Sequence, residues 1–446
     1  MVKLTCGFLQ ISPSKTLVFF TFVNLLVYMD VGAVSGVVPH IKEDLNLSSI
    51  QTGLLGSVFT LGFMASSPVF GHQAQHVHPY SLMAIGLSVY LVSLVTAGLS
   101  SNYYLLLTAR AFTGVGEASF ISLASPCILD KAPSDKKSLW LSISSSPLGA
   151  PFGVVFGAGT SKALGWRWTF LIQAALMAPF VVIAAISFKE PELVARRDEG
   201  STRFKAQVVS LLKTPVLVFL SLGCSAVTFT ASGFGFWSVY YLNHYYGLPT
   251  DQAGYITGVV IVICGFGGVI LGSAFLDKKL KSQVRQHEQG NISDSELQSA
   301  RVDKSASFVA IVISISCLFG VVGSSIFNVY VYVVCLGASL FFLYTYIGPV
   351  GVGILNSVPS ELRGQANAMR YFLNHAFGSL LGPFLIGVVF GASDKWGMIF
   401  AFMWLVLGVV FFGLAWNTSR FRSKSYAMAL RSVFSKHEEN QAILEA

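Results

Sequence analysis

The stretch LLLTARAFTGVGEASFISLA, Leu105–Ala124, is mostly apolar and is interrupted by one base, Arg110, and one acid, Glu117. As a helix, twenty residues rise about 30 Å, the thickness of a bilayer's hydrocarbon core. The stretch therefore reads as a membrane span that carries two ionisable groups. Offsets of four and seven return to one helix face, so Arg110, Gly114 and Glu117 share a side. Charges in lipid are costly and point by default to a pathway or a relay. A third such charge, Asp30, lies inside the first apolar run.

The same reading extends along the chain. Of its 446 residues, 53% are hydrophobic and 11% charged, against roughly 25% charged in soluble domains. Apolar runs long enough to cross a bilayer fall near 16–38, 51–71, 79–99, 103–129, 139–161, 167–188, 214–242, 252–276, 306–327, 329–357, 365–391 and 396–418. They are continuous rather than alternating every second residue, so they predict helices and not barrel strands. The expected fold is an all-α membrane protein with twelve transmembrane helices. Its expected parts are an N-terminal six-helix bundle (1–188), a cytoplasmic linker (189–213), a C-terminal six-helix bundle (214–418) and a cytoplasmic tail (419–446) whose composition suits the membrane surface.

The net charge of +8 concerns orientation. With the N-terminus inside, twenty-four of the 29 Lys and Arg fall in the inner loops and tails, from Lys3 to Lys436. Four fall outside, Lys42, Lys162, Arg167 and Lys395, and Arg110 is the remaining one. This bias places both termini in the cytoplasm, where basic residues meet anionic lipid. Nothing else supports a nucleic-acid partner. The six cysteines are scattered without metal or redox spacing and read as small apolar residues. The N-terminus shows no cleavable leader; Lys15 precedes a full-length first helix.

The halves read as copies. Gly153-Val-Val-Phe-Gly157-Ala158 returns as Gly387-Val-Val-Phe-Gly391-Ala392, each followed by a Trp, Trp166 or Trp396, that opens the next span. Upstream, Pro133-Ser-Asp-Lys-Lys137 answers Pro359-Ser-Glu-Leu-Arg363. Two six-helix repeats of like orientation are the plan of major facilitator transporters. Small residues crowd the fifth span (Pro147, Gly149, Pro151, Gly153, Gly157) and the eleventh (Gly378, Gly382, Pro383, Gly387, Gly391). Two readings stand for them: helices that flex or slide as the halves rock, or static close packing.

Arg110 and Asp30 come out level from the helix rise, roughly 10 and 12 Å below the outer edge, and so can pair. Glu117 then lies deeper without a cation. A carboxylate without a counter-charge away from water favours its protonated form. That makes Glu117 a candidate proton carrier, with Asp30 and Arg110 holding structure or contacting a polar headgroup; a purely structural network fixing helix register is the alternative. Aromatics in span seven (Phe234, Phe236, Trp237, Tyr240, Tyr241) and span ten (Phe341, Phe342, Tyr344, Tyr346) either line a cavity for an acyl chain or pack helices. Tyr245 and Tyr246 suit an interfacial belt. His72, His76 and His78 read as a polar turn in preference to a metal site, and His375 as a hydrogen-bonded packing residue. Asn46-Leu-Ser48 is a glycosylation sequon near the bilayer. No catalytic set, Gly-rich phosphate loop or Walker sequence appears, so neither an enzyme nor ATP-driven transport has support, and no cofactor is implied.

Three segments resemble the spinster branch of the major facilitator superfamily. They are Asn24-Leu-Leu-Val-Tyr28-Met-Asp30 with Gly36-Val-Val-Pro39 and Pro68-Val-Phe-Gly71, then Leu107-Thr-Ala-Arg110 through Gly114-Val-Gly116-Glu117-Ala118-Ser119-Phe120, and Gly235-Phe236-Trp237. Val358-Pro359-Ser360, Gly378 and Gly382-Pro383 also fit. The resemblance implies alternating-access carriers of lysophospholipids or sphingoid lipids, proton-coupled in some members, with a cavity between spans one, four, seven and ten. It carries the first-span acid onto Asp30, the fourth-span base onto Arg110 and the fourth-span acid onto Glu117. Two departures stand out: Val31 where the family usually has an arginine, and Gly71-His72-Gln-Ala-Gln where the superfamily has an acid and bases after the glycine.

The reading is a multi-pass secondary transporter for a lysolipid or sphingolipid. Two alternatives remain open, a small organic anion carrier using Arg110 as counter-charge and a non-transporting receptor or scaffold. Cavity-lining residues are expected to be Gly114, Trp237, Phe236, Phe341 and Tyr344. Conformational residues are expected to be Gly149, Pro151, Gly153, Gly382 and Pro383. The sequence leaves the membrane open between plasma and endolysosomal.

Overall fold

A computed structural model of the chain describes residues 13–73, 77, 79–131, 149–187, 209–359 and 362–420. Pro147, His76, His78, most of the 189–213 linker, the Pro133–Lys137 segment and the tail beyond residue 420 lie outside the described residues. Helices account for nearly all of the rest, and no strand occurs among the described residues. In chain order they are α1 (Pro13–Asp44), α2 (Ser49–Gln73), α3 (Pro79–Gly98), α4 (Tyr103–Lys131), α5 (Gly149–Leu164), α6 (Trp166–Ser187), α7 (Pro215–Tyr246), α8 (Thr250–Glu288) and α9 (Asp294–Ser325). Then follow α10 (Val329–Asn356), α11 (Arg363–Phe390) and α12 (Asp394–Arg420). Ten of these are long and apolar enough to cross a membrane. The exceptions are α4, whose mean hydropathy Arg110 and Glu117 lower, and α5, of which 16 residues are described.

The helices turn oil outward. Val92, Ile263, Ile270 and Leu318 are each more than 60% exposed, a surface that suits lipid. Inside, α1 packs on α5, α2 and α3 on α4, and α3 on α6; in the second half α7 packs on α11, α8 on α10, and α9 on α10 and α12. Two bundles result, and they meet along α1–α7, α2–α11 and α5–α8. The last two pairings are the same one made twice, the second helix of one half against the fifth of the other, as a duplicated unit with a two-fold axis requires.

Glycine sets the tightest seam. A Cβ on Gly36 would lie 2.4 Å from the Ala158 nitrogen, and one on Gly153 would lie 2.0 Å from the Met29 carbonyl oxygen. The backbones of α1 and α5 are therefore in direct contact, which only missing side chains permit.

Three helices depart from the run boundaries. The polar stretch Asp277–Lys304 between the eighth and ninth runs, whose Gln, Glu and Ser stand at helix-compatible spacing, is largely helical: it extends α8 by three turns and opens α9, which starts on a capping box in which Ser293 and Glu296 satisfy each other's backbone. Its Lys, Gln, Glu and Arg content is helix-forming even though it is not apolar. α10 breaks between Tyr344 and Ile347, where Pro349 cannot donate to the carbonyl four residues back. α11 contains a π turn at Asn374–Ser379, the kind of one-residue bulge often found at functional sites.

Candidate functional site

The first-span acid and fourth-span base meet. Arg110 Nη1 donates to Asp30 Oδ2 at 2.7 Å, and the residues are 3% and 0% exposed. The other Asp30 oxygen has a partner that the sequence did not suggest. Gln173 of α6, oriented with its amide nitrogen toward the carboxylate, donates to Asp30 Oδ1 at 3.2 Å. A buried ion pair needs such extra hydrogen bonds to offset its desolvation. Arg110 also lies over the Phe59 ring at 5.2 Å, while its Nε has no acceptor.

Glu117 sits about two turns further along α4, some 10 Å from Arg110 by helix rise. Its Oε2 is buried and makes no hydrogen bond. The spacing Gly114-Val-Gly116 explains how these side chains come to face inward. A Cβ at Gly114 would lie 2.0 Å from the Phe59 carbonyl oxygen, and one at Gly116 would lie 2.6 Å from Tyr90. α4 is thus wedged tightly between α2 and α3, and the remaining face, with Arg110 and Glu117, is presented to the interface between the bundles.

That interface holds a cavity of about 1320 Å³. Arg110 and Glu117 lie on its wall together with Asn24, Tyr28 and Thr60; Asp30 stands behind Arg110, out of reach of solvent. The opposite wall, from the second bundle, is largely apolar: Ala231, Phe234, Phe236, Ile261, Leu340 and Tyr344. Charge in the cavity therefore lies on one side only, facing a wall of aromatic and aliphatic surface that also carries the neutral polar groups Ser232, Gln365, Asn367, His375 and Ser379.

Among the described residues it opens at one end. The bundle contacts gather at the opposite end. Ser35 Oγ and Ser238 Oγ lie 3.5 Å apart, Lys42 Nζ donates to the Tyr240 hydroxyl at 2.6 Å, and Lys162 pairs with Asp251 at 2.8 Å. Gly53 and Gly387 let α2 and α11 touch there. Midway, the Phe63 and His375 rings still meet, centroids 5.0 Å apart. Beyond them the helices part, and Met64, Pro68, Ala368 and Phe372 line the widening mouth. Leu211, in a helical turn before α7, reaches the cavity from the segment expected to be linker.

The structure moves three expected lining residues elsewhere. Gly114 is the α4–α2 contact just described. Trp237 is fully buried, donating Nε1–H to the Pro383 carbonyl at 2.9 Å and stacking on Phe390. Phe341 packs beside Gly267 and Gly268 of α8 and against Phe342. Each lies on the correct helix, but helical periodicity does not tell which neighbour a face meets. The residues expected to be conformational lie at seams: Gly149 and Gly153 against α1, Pro151 against Gly258 of α8, Gly382 against Phe229 of α7, and Pro383 between α2 and the cavity.

One residue changes standing. The charge count places Arg370 with the inner loops, yet it lies seven residues into α11, between Cys224 and Tyr346, with its guanidinium over the Tyr371 ring at 4.4 Å. Its Nε has no acceptor. No Asp or Glu occurs in α7, α10 or α11, so this cation has no acidic neighbour on its own or those packed helices. Its signal in the sequence is its distance from Arg363, nearly two helical turns.

With this geometry the chain can be set beside known proteins. The pattern of the Major Facilitator Superfamily matches residues 20–383. The probable sphingolipid transporter spinster homolog 2 of Arabidopsis thaliana is 30% identical over 421 residues, 86% of this chain and 82% of the relative. Human protein spinster homolog 1 is 28% identical over 399 residues, 84% and 72% of the two chains. A solved bacterial homolog of the human lysosomal transporter spinster, inward-facing and occupied, superposes with a TM-score of 0.75 at 18% identity, covering 92% of this chain and 98% of the other. An open cavity between two duplicated bundles, a buried Asp–Arg pair and these likenesses lead to one assignment: the chain belongs to the Major Facilitator Superfamily of membrane transporters, in its spinster branch.

Proposed function

We propose that the protein carries a single-chain amphiphile, a lysolipid or sphingoid lipid, by alternating access. The observation that supports this best is the division of the cavity into a charged wall and a largely apolar wall. The polar head lies against Asn24, Arg110 and Glu117, and the chain against Phe234, Phe236 and Leu340. A volume of about 1320 Å³ exceeds the roughly 300–1,000 Å³ typical of small-ligand pockets. A small organic anion is the weaker fit, because Asp30 already occupies the Arg110 charge. The sphingolipid named for the Arabidopsis relatives agrees with the amphiphile reading.

Lys278, Lys281, Arg285, Arg301 and Arg363 lie at the open end, so the positive-inside bias of the sequence orients this conformation toward the cytoplasm, the side to which it also assigns both termini. Rocking closes that mouth and parts the Lys42–Tyr240 and Lys162–Asp251 contacts at the other. Glu117 is the coupling group. It takes a proton on one side and releases it on the other as the cavity changes the side to which it opens. Arg370 adds a second positive charge behind Tyr371.

The test is uptake into proteoliposomes of a labelled lysophospholipid, a sphingoid base and a soluble organic anion, each with and without a pH step. Uptake of one of the lipids, accelerated by the pH step and competed by unlabelled lipid but not by the anion, is the expected result. Transport of the anion alone overturns the amphiphile reading. Absence of any transport, with lipid still bound, returns the chain to a receptor role.

A further inference from the structure

A second hollow lies outside the transport path, at the open end, where α8 runs on beyond the membrane. It encloses about 870 Å³ between α8, the start of α9 and the end of α10. Four cations line it: Lys278, Lys281 and Arg285 from α8, and Arg301 from α9. Two carboxylates, Asp277 and Glu288, share its wall, leaving an excess of two positive charges.

Among the described residues none of the four cations is in an ion pair, although acids are close at hand. Of the acids beyond the wall, Asp294 pairs with His287 at 3.3 Å, Asp303 with Arg420 at 3.6 Å, and Glu296 serves the α9 capping box, while Asp277 and Glu288 share the wall with the cations without forming an ion pair with them. Lys279, between two lining residues, turns away to lie over the Phe308 ring. The frame is firm as well, a helical hairpin closed by Gly290 in the left-handed region (φ 75°) and by the His287–Ile292 hydrogen bond.

Depth fixes the kind of anion. Phe275 is 57% exposed and is the last large apolar residue on the lipid-facing side of α8. At 1.5 Å per residue, Lys278, Lys281 and Arg285 stand about 4.5, 9 and 15 Å beyond it. Such a ladder starts at headgroup level and climbs away from the bilayer. A single phosphodiester would meet only its lowest rung, whereas a headgroup bearing several phosphates spans it, and lysine and arginine are the groups suited to phosphate oxygens.

We propose that this hollow binds the polyphosphorylated headgroup of a membrane lipid from the leaflet at the open end. The bound lipid would sit beside the α10–α11 corner, where Arg363 Nε holds the Leu355 carbonyl at 2.8 Å and Gly364 begins the cavity mouth. It is therefore placed to bias how easily that mouth closes, independently of what the cavity carries.

The test uses the purified full-length protein in detergent and dioctanoyl phosphatidylinositol 4,5-bisphosphate as probe, read by thermal shift and by native mass spectrometry. Dioctanoyl phosphatidylcholine, inositol 1,4,5-trisphosphate and inorganic phosphate serve as separate arms. A saturable shift with the phosphorylated lipid is expected, its half-saturating concentration raised at least tenfold by Lys281→Gln with Arg285→Gln and Arg301→Gln. Asp277→Asn, which removes a repelling carboxylate, is expected to lower that concentration. Equal binding by the triple variant, an equal shift from the neutral lipid, or loss of affinity in Asp277→Asn would overturn the site. Binding of the free trisphosphate or of phosphate as tightly as the lipid would also overturn it, since the ligand would then be a soluble anion. Should the triple variant not fold, Arg301→Gln alone and Asp277→Asn give the same decision.

Discussion

The two bundles share a plan and differ in chemistry. In the first, Asp30, Arg110, Gln173 and Glu117 form a buried polar core in which the one ion pair is made and reinforced and one carboxylate oxygen is left over. In the second, the helices at membrane depth that face the cavity carry no acid, and the one cation, Arg370, is held by aromatic and thiol groups. One seam, in contrast, is repeated: Gly149 and Gly153 bring α5 onto α1, and Gly378 and Gly382 bring α11 onto α7. Buried charge is expensive, and among the described residues only the first bundle sets a buried cation against a carboxylate.

The largest expected effect breaks the relay. Glu117→Gln keeps the shape of the cavity wall and removes the titrating group. Uptake driven by a pH gradient should fall by at least about 100-fold, whereas lipid counterflow at equal pH should remain within about threefold. An unchanged pH response in vesicles would take Glu117 out of the coupling role.

Next comes the ion pair. Asp30→Asn leaves Arg110 buried without a carboxylate and should destabilise the protein by about 3–5 kcal/mol, seen as a lowered unfolding midpoint in detergent. Adding Arg110→Gln should recover part of that loss. If the double variant were as unstable as the sum of both singles, Asp30 and Arg110 would not be acting as a pair.

The contrast between bundles predicts an opposite sign at Arg370. Arg370→Met removes a desolvated cation without an acidic partner, so stability should hold or rise, by roughly 1–3 kcal/mol, while transport falls about tenfold or more. A variant that is both less stable and fully active would assign Arg370 a structural place only.

The smallest effects test the seams. Gly153→Ala and Gly387→Ala each insert a methyl where a backbone lies, the Met29 carbonyl at 2.0 Å and the Ser49 carbonyl at 2.7 Å. Each should cost roughly 1–3 kcal/mol by overpacking. Gly153→Ala, the tighter, should show the larger loss in a thermal-denaturation assay. A reversed order would mean that the α2–α11 seam is the more rigid of the two.

Much of this was legible in the residues. Continuous apolar runs gave the helices, the repeated Gly-Val-Val-Phe-Gly strings gave the duplication, and two of the three lone charges, Arg110 and Glu117, line the cavity with Asp30 behind them. The level pairing of Asp30 with Arg110 followed from helix rise alone. Gln173 was not legible, since an amide in an apolar helix is unremarkable until a carboxylate is found opposite. Arg370 already falls inside the run 365–391, five residues from its start, and is counted with the inner loops only because it lies so near the span's end. The end of α8 lies beyond the apolar run, because hydropathy marks where lipid stops, and a helix can go on in water; the helix-compatible spacing of Gln, Glu and Ser after Asp277 agrees with that continuation.

The sequence by itself determined which segments are helices, which faces carry charge and that the unit is doubled, because these depend on spacing along one chain. Only the tertiary structure decided which faces meet. It turned Trp237 and Phe341 into packing, put Glu117 on the cavity wall and, among the described residues, gathered the contacts between the bundles at one end. Contacts between helices distant in sequence are set by the shape of both partners at once, and no local period along either of them records that.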